Sequence, residues 1–482
     1  MSDETIEQIK FYRFRTVKSV LDWGEIEEEY IYFSPIKDLN DPMEGHVNLT
    51  FRGDNIVWAN FFKIYIFSVY SFWLRLIFSG QSISKEMEAE DIYVRFDPEL
   101  KKSLDKVDPI YIGICKEFFD NDVIKELLGL WDSREAELTK IEMMPLMFYV
   151  HVIILNKLNT VSNSHNINYI NPSCEAVLNN FYNETTAVKQ IKLIIEQYKN
   201  CCDANVDYGF FINEATDIEE KIIKFESEYY GFPIGKNIAL LLRFPKIYLE
   251  KIVKLITPEF YIASFAITYK NPLMWVHYAD SGKGVCLIYA FDFNKEDNNY
   301  YITPKVNQNE SHTVSYPLQM REVKYIDDIH EVPDIEFFTG LVPNQIINGD
   351  HWFGPIDKRS KIHNKHWTVG SKQKKEEFIN KIFNVITSKY KDFEYEHEYR
   401  AVYSTFSPGG SGIPKSGQMK YNFNNLAGII FGIRTPEKDK YEITRIIKEK
   451  CIKYNRRNFD FYQAKINNEG KVENYKIDIK LI

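Results

Sequence analysis

Four hundred and eighty-two residues, 44% apolar and 27% charged, make an ordinary globular mix that excludes a disordered, collagen-like or coiled-coil chain. At roughly 150 residues per domain the length suggests about three units and ample core. Lys and Arg total 60 against 68 Asp and Glu, a net charge of −8, which excludes a strongly basic whole-chain field for nucleic acid and leaves only local patches.

The six cysteines, Cys115, Cys174, Cys201, Cys202, Cys286 and Cys451, show no C-x-x-C spacing, and the adjacent pair makes a poor disulfide. A reducing, cytoplasmic compartment is expected. The opening MSDETIEQIKFYRFR lacks the basic and apolar regions of a signal peptide, so export is not expected.

In chain order, KFYRFRTV reads as a short strand, Val17 to Trp23 as a short helix, and EEEYIYFSP as a second strand stopped at Pro35. In Phe33 to Gly45, FSPIKDLNDPMEG, the tripeptide Asn40-Asp41-Pro42 initiates a turn. Asp41 and Glu44 could join His277 around a metal, but the spacing matches no ligand pattern, and no metal is assigned.

From Trp58 to Thr257 the apolar residues recur at helical spacing, as in NDVIKELLGLW, TTAVKQIKLIIEQYKN and IEEKIIKFESEYYGF. Within Phe61 to Phe78, Lys63 and Arg75 leave 11 charge-free residues, Ile64 to Leu74. That is short for a bilayer span of about 20 residues and suits a buried or interfacial helix. The run Met143 to Leu155 is also too short to span. No membrane span is expected.

Strands return at YIASFAIT and GVCLIYAFDF, followed by a polar stretch, Asn294 to His312, that reads as a loop. Between those strands, NPLMWVHYADSGKG crowds Trp275, His277, Tyr278 and Asp280 ahead of a glycine turn. His277 there is either a base or ligand, or a packing residue. Gly282-Lys283-Gly284 lacks the frame of a phosphate-binding loop.

A helix is expected over KQKKEEFINKIFNVITSKY, then a strand, FEYEHEYRAVYS, then a turn-rich SPGGSGIPKSG and an apolar strand LAGIIFGI. Alternation along FEYEHEYRAVYS puts Glu394, Glu396, Glu398, Arg400 and Val402 on one face. Neighbouring carboxylates ~7 Å apart perturb each other, and an arginine beyond them can hold one ionised, which separates the roles of two acids. The alternative is a solvated face with internal ion pairs.

Four segments in order, Tyr12-Arg13-Phe14-Arg15, Tyr32-Phe33-Ser34-Pro35 with Leu39-Asn40-Asp41-Pro42, Trp275-x-His277-Tyr278-Ala279-Asp280 with Lys283 to Leu287, and Tyr395-Glu396-x-Glu398-Tyr399-Arg400, resemble the bacterial family called domain of unknown function 2971. The resemblance covers about residues 11–57 and 258–436. The layout also resembles an ADP-ribosyltransferase: an arginine on an early strand, Ser264 on a middle strand and an E-x-E on a late one. That second resemblance implies NAD as substrate. Glu398 would hold the nicotinamide-ribose 2′-hydroxyl and steady the oxocarbenium-like centre, Glu396 would orient or deprotonate the acceptor, and Arg400 would complete the catalytic face. Arg13 or Arg15 would pair with the pyrophosphate, a contact suited to a guanidinium fork. Tyr12, Ser34, Asn40, Asp41, Ser264, His277 and Tyr278 complete the implied NAD-binding set. No Ser-Thr-Ser triplet follows Ser264, a departure from the pattern.

The expected fold is α+β: a mixed, mainly antiparallel, ADP-ribosyltransferase-like sheet core interrupted by a large helical insert. Residues 1–57 and 258–436 would form the core, 58–257 the insert, and 437–482 an extension packed on the core. The expected function is an NAD-dependent transferase or NAD-consuming effector, such as a toxin or phage-defence protein, with a protein or nucleic-acid acceptor and a protein partner for the insert. The rivals are a non-catalytic binding or sensor module and a metal-dependent nuclease using Asp41, Glu44, His277 and Glu398.

Overall fold

The computed structural model describes residues 9–41, 44–45, 47–78, 108–133, 138–165, 183–200, 243–256, 259–309, 312–315, 317–328, 331–338, 358, 360, 372–404 and 417–480. The expected helix IEEKIIKFESEYYGF, the loop SPGGSGIPKSG up to residue 416, and Cys174, Cys201 and Cys202 lie outside these residues.

In chain order the chain forms β1 (Lys10–Arg15), α1 (Val17–Val20), β2 (Tyr30–Tyr32), β3 (Ser34–Pro35) and β4 (Leu49–Phe51). Next come α2 (Asn55–Phe78), α3 (Pro109–Asp120), α4 (Asp122–Ser133), β5 (Leu138–Thr139), α5 (Lys140–Ser164), α6 (Glu184–Asn200) and α7 (Phe244–Ile256). Then follow β6 (Phe260–Ala266), α8 (Pro272–Tyr278), β7 (Val285–Ala290), β8 (Asp292–Asn294), β9 (Asn299–Ile302), β10 (Lys305–Asn309), β11 (His312–Ser315), β12 (Leu318–Glu322), β13 (Lys324–Ile326) and β14 (Ile335–Glu336). The last stretch holds α9 (Lys372–Ile386), β15 (Ser388–Tyr390), β16 (Glu398–Ser404), β17 (Gln418–Lys420), β18 (Leu426–Phe431), α10 (Glu437–Lys453), β19 (Asp460–Ile466) and β20 (Val472–Ile477).

Two compact units result: Met1–His46 with Pro258–Pro333 and Ile382–Ile482, and Val47–Thr257 with Asp334–Lys381. The insert therefore begins at residue 47 rather than 58, because β4 pairs with β5 and β14 and not with the core strands. Residues 334–381 also belong to it.

In the first unit the main sheet runs β20-β19-β18-β7-β1-β6-β16-β12-β9-β8, with β3 also on β6. It is antiparallel except at β18–β19, which α10 connects. Residues 437–482, expected as an extension packed on the core, join it through β19 and β20, which continue the sheet from β18. The polar stretch expected as a loop folds into β9 and β10, because polar residues pair readily in hairpins with one solvated face. A smaller antiparallel sheet runs β11-β10-β17-β2. On the main sheet Phe11, Phe265, Leu287, Tyr289, Ala401 and Ile429 belong to one core cluster, and Phe14, Trp275, Ile288 and Ile430 to a second.

One expected strand starts late. Lys391–Glu396 form a 3-10 turn, His397 takes a left-handed conformation at φ 44°, and β16 begins only at Glu398. The turn brings Glu396 onto Lys389 of β15, an ion pair that an extended backbone from Phe393 would have lost.

The second unit is helical for a local reason: its helices are well capped. Asp108 caps α3 ahead of Pro109, and Thr139 with Glu142 forms a reciprocal capping box on α5. Helices α2 and α5 are apolar on nearly all sides and make up much of the core. Trp58 stacks on Trp131 of α4 at 4.1 Å, and buried His151 Nδ1 lies 2.9 Å from the Tyr65 hydroxyl. Lys63 and Arg75 end beside the rings of Phe119 and Phe72. Glu142–Ser164 is long and apolar enough to cross a membrane, and 61% of its most apolar stretch is buried inside the unit.

Candidate functional site

The site lies where the main sheet divides. The ladder between β1 and β6 consists of one residue pair, Tyr12 with Ala266, and Ala266 in turn faces Glu398 on β16. Paired residues share a face and neighbours alternate, so register alone places Glu398 with Tyr12 and Arg13 on the opposite face. Beyond that pair β1 and β6 part, and β3 takes the edge of β6, with Ser34 opposite Ile262. A cavity of about 360 Å³ is lined by residues from both sides of this split. Tyr12, Arg13, Arg15, Ser34, Asn40, Ser264, Tyr278, Glu396 and Glu398 all line it. Asp41, His277 and Arg400 do not.

Glu398 is held by a buried network. Arg400 Nε donates to its Oε1 at 2.8 Å and Nη2 to its Oε2 at 2.9 Å, the fork geometry of a strong pair. The same Nη2 reaches Glu44 Oε1 at 2.6 Å, and Nη1 donates to the Ile386 carbonyl at 2.5 Å. Lys389 Nζ lies 2.8 Å from Glu396, 3.0 Å from Glu44 and 3.5 Å from Glu398, and donates to Asn40 Oδ1 at 3.2 Å. The Tyr278 hydroxyl donates to Glu396 Oε1 at 2.6 Å and accepts from Asn40 Nδ2 at 2.5 Å. Three carboxylates thus meet two cations, and full ionisation leaves one negative charge.

Burial would raise the Glu398 carboxyl, but the Arg400 charge and hydrogen bonds, then Lys389 and the Ser264 hydroxyl, bring it down to about 2. Burial pushes Glu44 up, against the pull of Arg400 and Lys389. Lys389 is raised: burial would lower it, and Glu398, Glu44 and Glu396 outweigh that. Burial, then the Glu396 charge, raise the Tyr278 phenol, which stays protonated and donating.

The Arg13 end differs. Arg13 is 8% exposed, donates from Nη2 to the Tyr32 carbonyl at 2.7 Å and sits 5.4 Å over the Phe265 ring. Its Nη1 is buried without a hydrogen-bond partner. Burial, then the neighbouring Arg15, lower its pKa to about 10, which keeps it charged at neutral pH. Arg15, by contrast, makes a two-pronged pair with buried Glu25. The two arginines are not equivalent, and Arg13 is the one with capacity left for an anion.

Three expectations need correction. Arg400 is fully buried behind Glu398, where it holds that carboxylate and does not line the cavity. His277 is exposed beside Tyr278 and Tyr395, because α8 turns Trp275 inward and His277 out. Asp41 is buried but outside the cavity wall. Among the described residues no group of three or more His, Cys, Asp and Glu could hold a metal. In the set Asp41, Glu44, His277 and Glu398, a metal would have to displace Lys389 and Arg400 from two of the acids. Lys389 and the rim residue Trp23 were not singled out in the sequence. The signal for the lysine is the crowd of acids itself, since buried carboxylates require cations.

The depressed Glu398 has a linked effect on stability. Its folded pKa near 2 lies below the ordinary 4.5, so its contribution is present above about pH 4.5 and is lost as pH falls toward 2. The full contribution is about 3 kcal/mol. Glu44, raised, works with the opposite sign: its contribution is present below the ordinary 4.5 and is lost as pH rises above it. Urea midpoints between pH 6 and 2.5 should therefore fall more steeply for the wild type than for Glu398→Gln. Parallel slopes would show that this carboxyl is not held ionised by the fold.

No curated protein matches the chain, and neither does any solved structure. Residues 274–401, from Met274 of α8 to Ala401 of β16, match the model of the family described as Protein of unknown function (DUF2971), a stretch that takes in Tyr278, Lys389, Glu396, Glu398 and Arg400 and leaves Arg13 outside.

Proposed function

We propose that the first unit binds NAD in the split between β1 and β6 and breaks its nicotinamide–ribose bond, passing ADP-ribose to an acceptor or to water. The observation that carries this reading is the pairing of opposite charges around one cavity: Arg13, a cation whose Nη1 has no hydrogen-bond partner, and Glu398, held ionised in a network with surplus negative charge, are both lining residues. NAD has the complementary polarity, an anionic pyrophosphate and a cationic nicotinamide ring. A further support is that Arg13, Ser264 and Glu398, the three marks of the ADP-ribosyltransferase resemblance, sit on the adjacent strands β1, β6 and β16.

On this reading Glu398, ionised and able only to accept, takes a hydrogen bond from the ribose 2′-hydroxyl. The glycosidic C–N bond breaks with its electron pair moving to nicotinamide, which becomes neutral. Positive charge develops on the ribose beside Glu398, where a fixed carboxylate is most effective. The acceptor oxygen or nitrogen then attacks C1′ and its proton leaves toward Glu396. Such an activity suits a cytoplasmic toxin or phage-defence effector, with a protein or nucleic acid as acceptor and the helical unit binding a protein partner. Helices α2 and α5 then serve as core helices, and the protein should stay in the supernatant after membranes are pelleted. A detergent-requiring pellet would overturn that part.

The closed ion-pair network favours one second reading, a sensor that binds NAD without turnover. Nicotinamide release from NAD, together with transfer of labelled ADP-ribose to added protein and nucleic acid, separates the two. Release supports cleavage, and binding without release supports the sensor. Metal-stimulated cleavage of nucleic acid with no NAD binding would replace both by a nuclease.

A further inference from the structure

Trp23 and Arg13 line the same cavity and call for two parts of one ligand. The guanidinium of Arg13 is buried with Nη1 unpartnered, and Glu25, the acid that acts on it, is already held by Arg15. A cation buried this way is unfavourable until an anion reaches it. Trp23 is the reverse case, a large ring left 57% exposed at the rim with the Lys18 ammonium 5.6 Å over it. The other described tryptophans, Trp58, Trp73, Trp131 and Trp275, are at most 4% exposed. A dinucleotide is too large for a cavity of about 360 Å³ to enclose, so one of its bases must lie at the rim. Asp38, also in the lining, offers acceptors to a ribose hydroxyl and no donor to a phosphate.

We propose that Trp23 is the stacking platform for the planar base of a nucleoside diphosphate whose phosphates bind Arg13. The claim rests on the NAD reading for the direction in which the ligand lies, but it concerns the end of the ligand remote from Glu398. Stacking tolerates any π-face, and the adjacent Lys18 ammonium adds to the attraction for the phosphates.

The test is titration of the full chain with ADP, ADP-ribose and inorganic pyrophosphate, read by calorimetry and tryptophan fluorescence, for wild type, Trp23→Ala and Trp23→Phe. Trp23→Ala should weaken ADP and ADP-ribose about 5- to 150-fold and leave pyrophosphate unchanged, while Trp23→Phe keeps most of the affinity. Equal affinity of wild type and Trp23→Ala for ADP, an equal loss for pyrophosphate, or no ADP binding by the wild type would overturn the proposal. Failure here is distinct from failure of NAD cleavage. Nicotinamide release with an unchanged KM in Trp23→Ala sinks the platform and leaves cleavage standing. ADP binding through Trp23 without any nicotinamide release supports the platform and sinks cleavage.

Discussion

Glu398→Gln should lower nicotinamide release about 10²–10³-fold, or about 3–4 kcal/mol of transition-state stabilisation. The substitution keeps the shape of the side chain and removes its charge. It also tests the network in an informative way. Glu44, Glu396 and Glu398 face Lys389 and Arg400, so removing one carboxylate brings three acids and two cations to balance. The folded state should tolerate this better than loss of either cation, and the comparison is made at temperatures where both proteins are folded. A variant that releases nicotinamide at the wild-type rate removes Glu398 from the chemistry. A variant that binds NAD normally and has lost only turnover places the effect in the transition state.

Arg400→Met should have the largest effect on stability. It leaves three carboxylates around Lys389 alone, with Glu398 and Glu44 deprived of hydrogen bonds at 2.8, 2.9 and 2.6 Å. Breaking a buried pair from one side typically costs about 3–5 kcal/mol. For a unit of this size that is a fall in melting temperature of roughly 6–20 °C. The double variant Arg400→Met with Glu44→Gln restores the original imbalance of one negative charge, so it should recover part of the loss. Thermal unfolding of the two single variants and the double one measures the coupling. No recovery in the double variant would mean that Arg400 matters for its packing and its bond to the Ile386 carbonyl, and that charge balance is secondary.

How far the sequence led depends on the kind of information each feature needs. The strands β1, β2 and β18 and the helix α9 follow from alternation and helical spacing, which are local. The grouping of Glu398 with Ser264 was also legible from the strand motifs, whereas Glu396, expected beside Glu398 on one strand face, reaches the site from the 3-10 turn before β16. Lys389 was not legible, since a lysine at the end of a helical stretch ordinarily reads as solvated, and only the turn at Lys391–Glu396 folds Glu396 back onto it. His277 was misread although Trp275 and Tyr278 stand three apart, the spacing that puts those two on one helical face and leaves His277 aside. The meeting of Arg13 with Glu398 was implied only by the ADP-ribosyltransferase resemblance and by no local pattern. Strand register puts them on opposite faces, and only the parting of β1 from β6 lets both line one cavity.

The position of β1 in the chain also bears on how the protein is made. Its main pairing partner, β7, begins at Val285, and the whole of residues 47–257 lies between them. At about 5–20 residues per second, β1 leaves the ribosome roughly 15–55 s before β7 exists. Closing so long a loop adds little entropy, because the penalty grows only logarithmically with length, and less still once the intervening helices have folded. The hazard is kinetic: an unpaired strand carrying Phe11, Tyr12 and Phe14 invites association with other chains. Lys10, Arg13 and Arg15 interrupt those aromatics with like charges that resist self-pairing during the wait. Arg13 therefore serves the chain twice, as a gatekeeper during synthesis and later as the cation buried in the cleft.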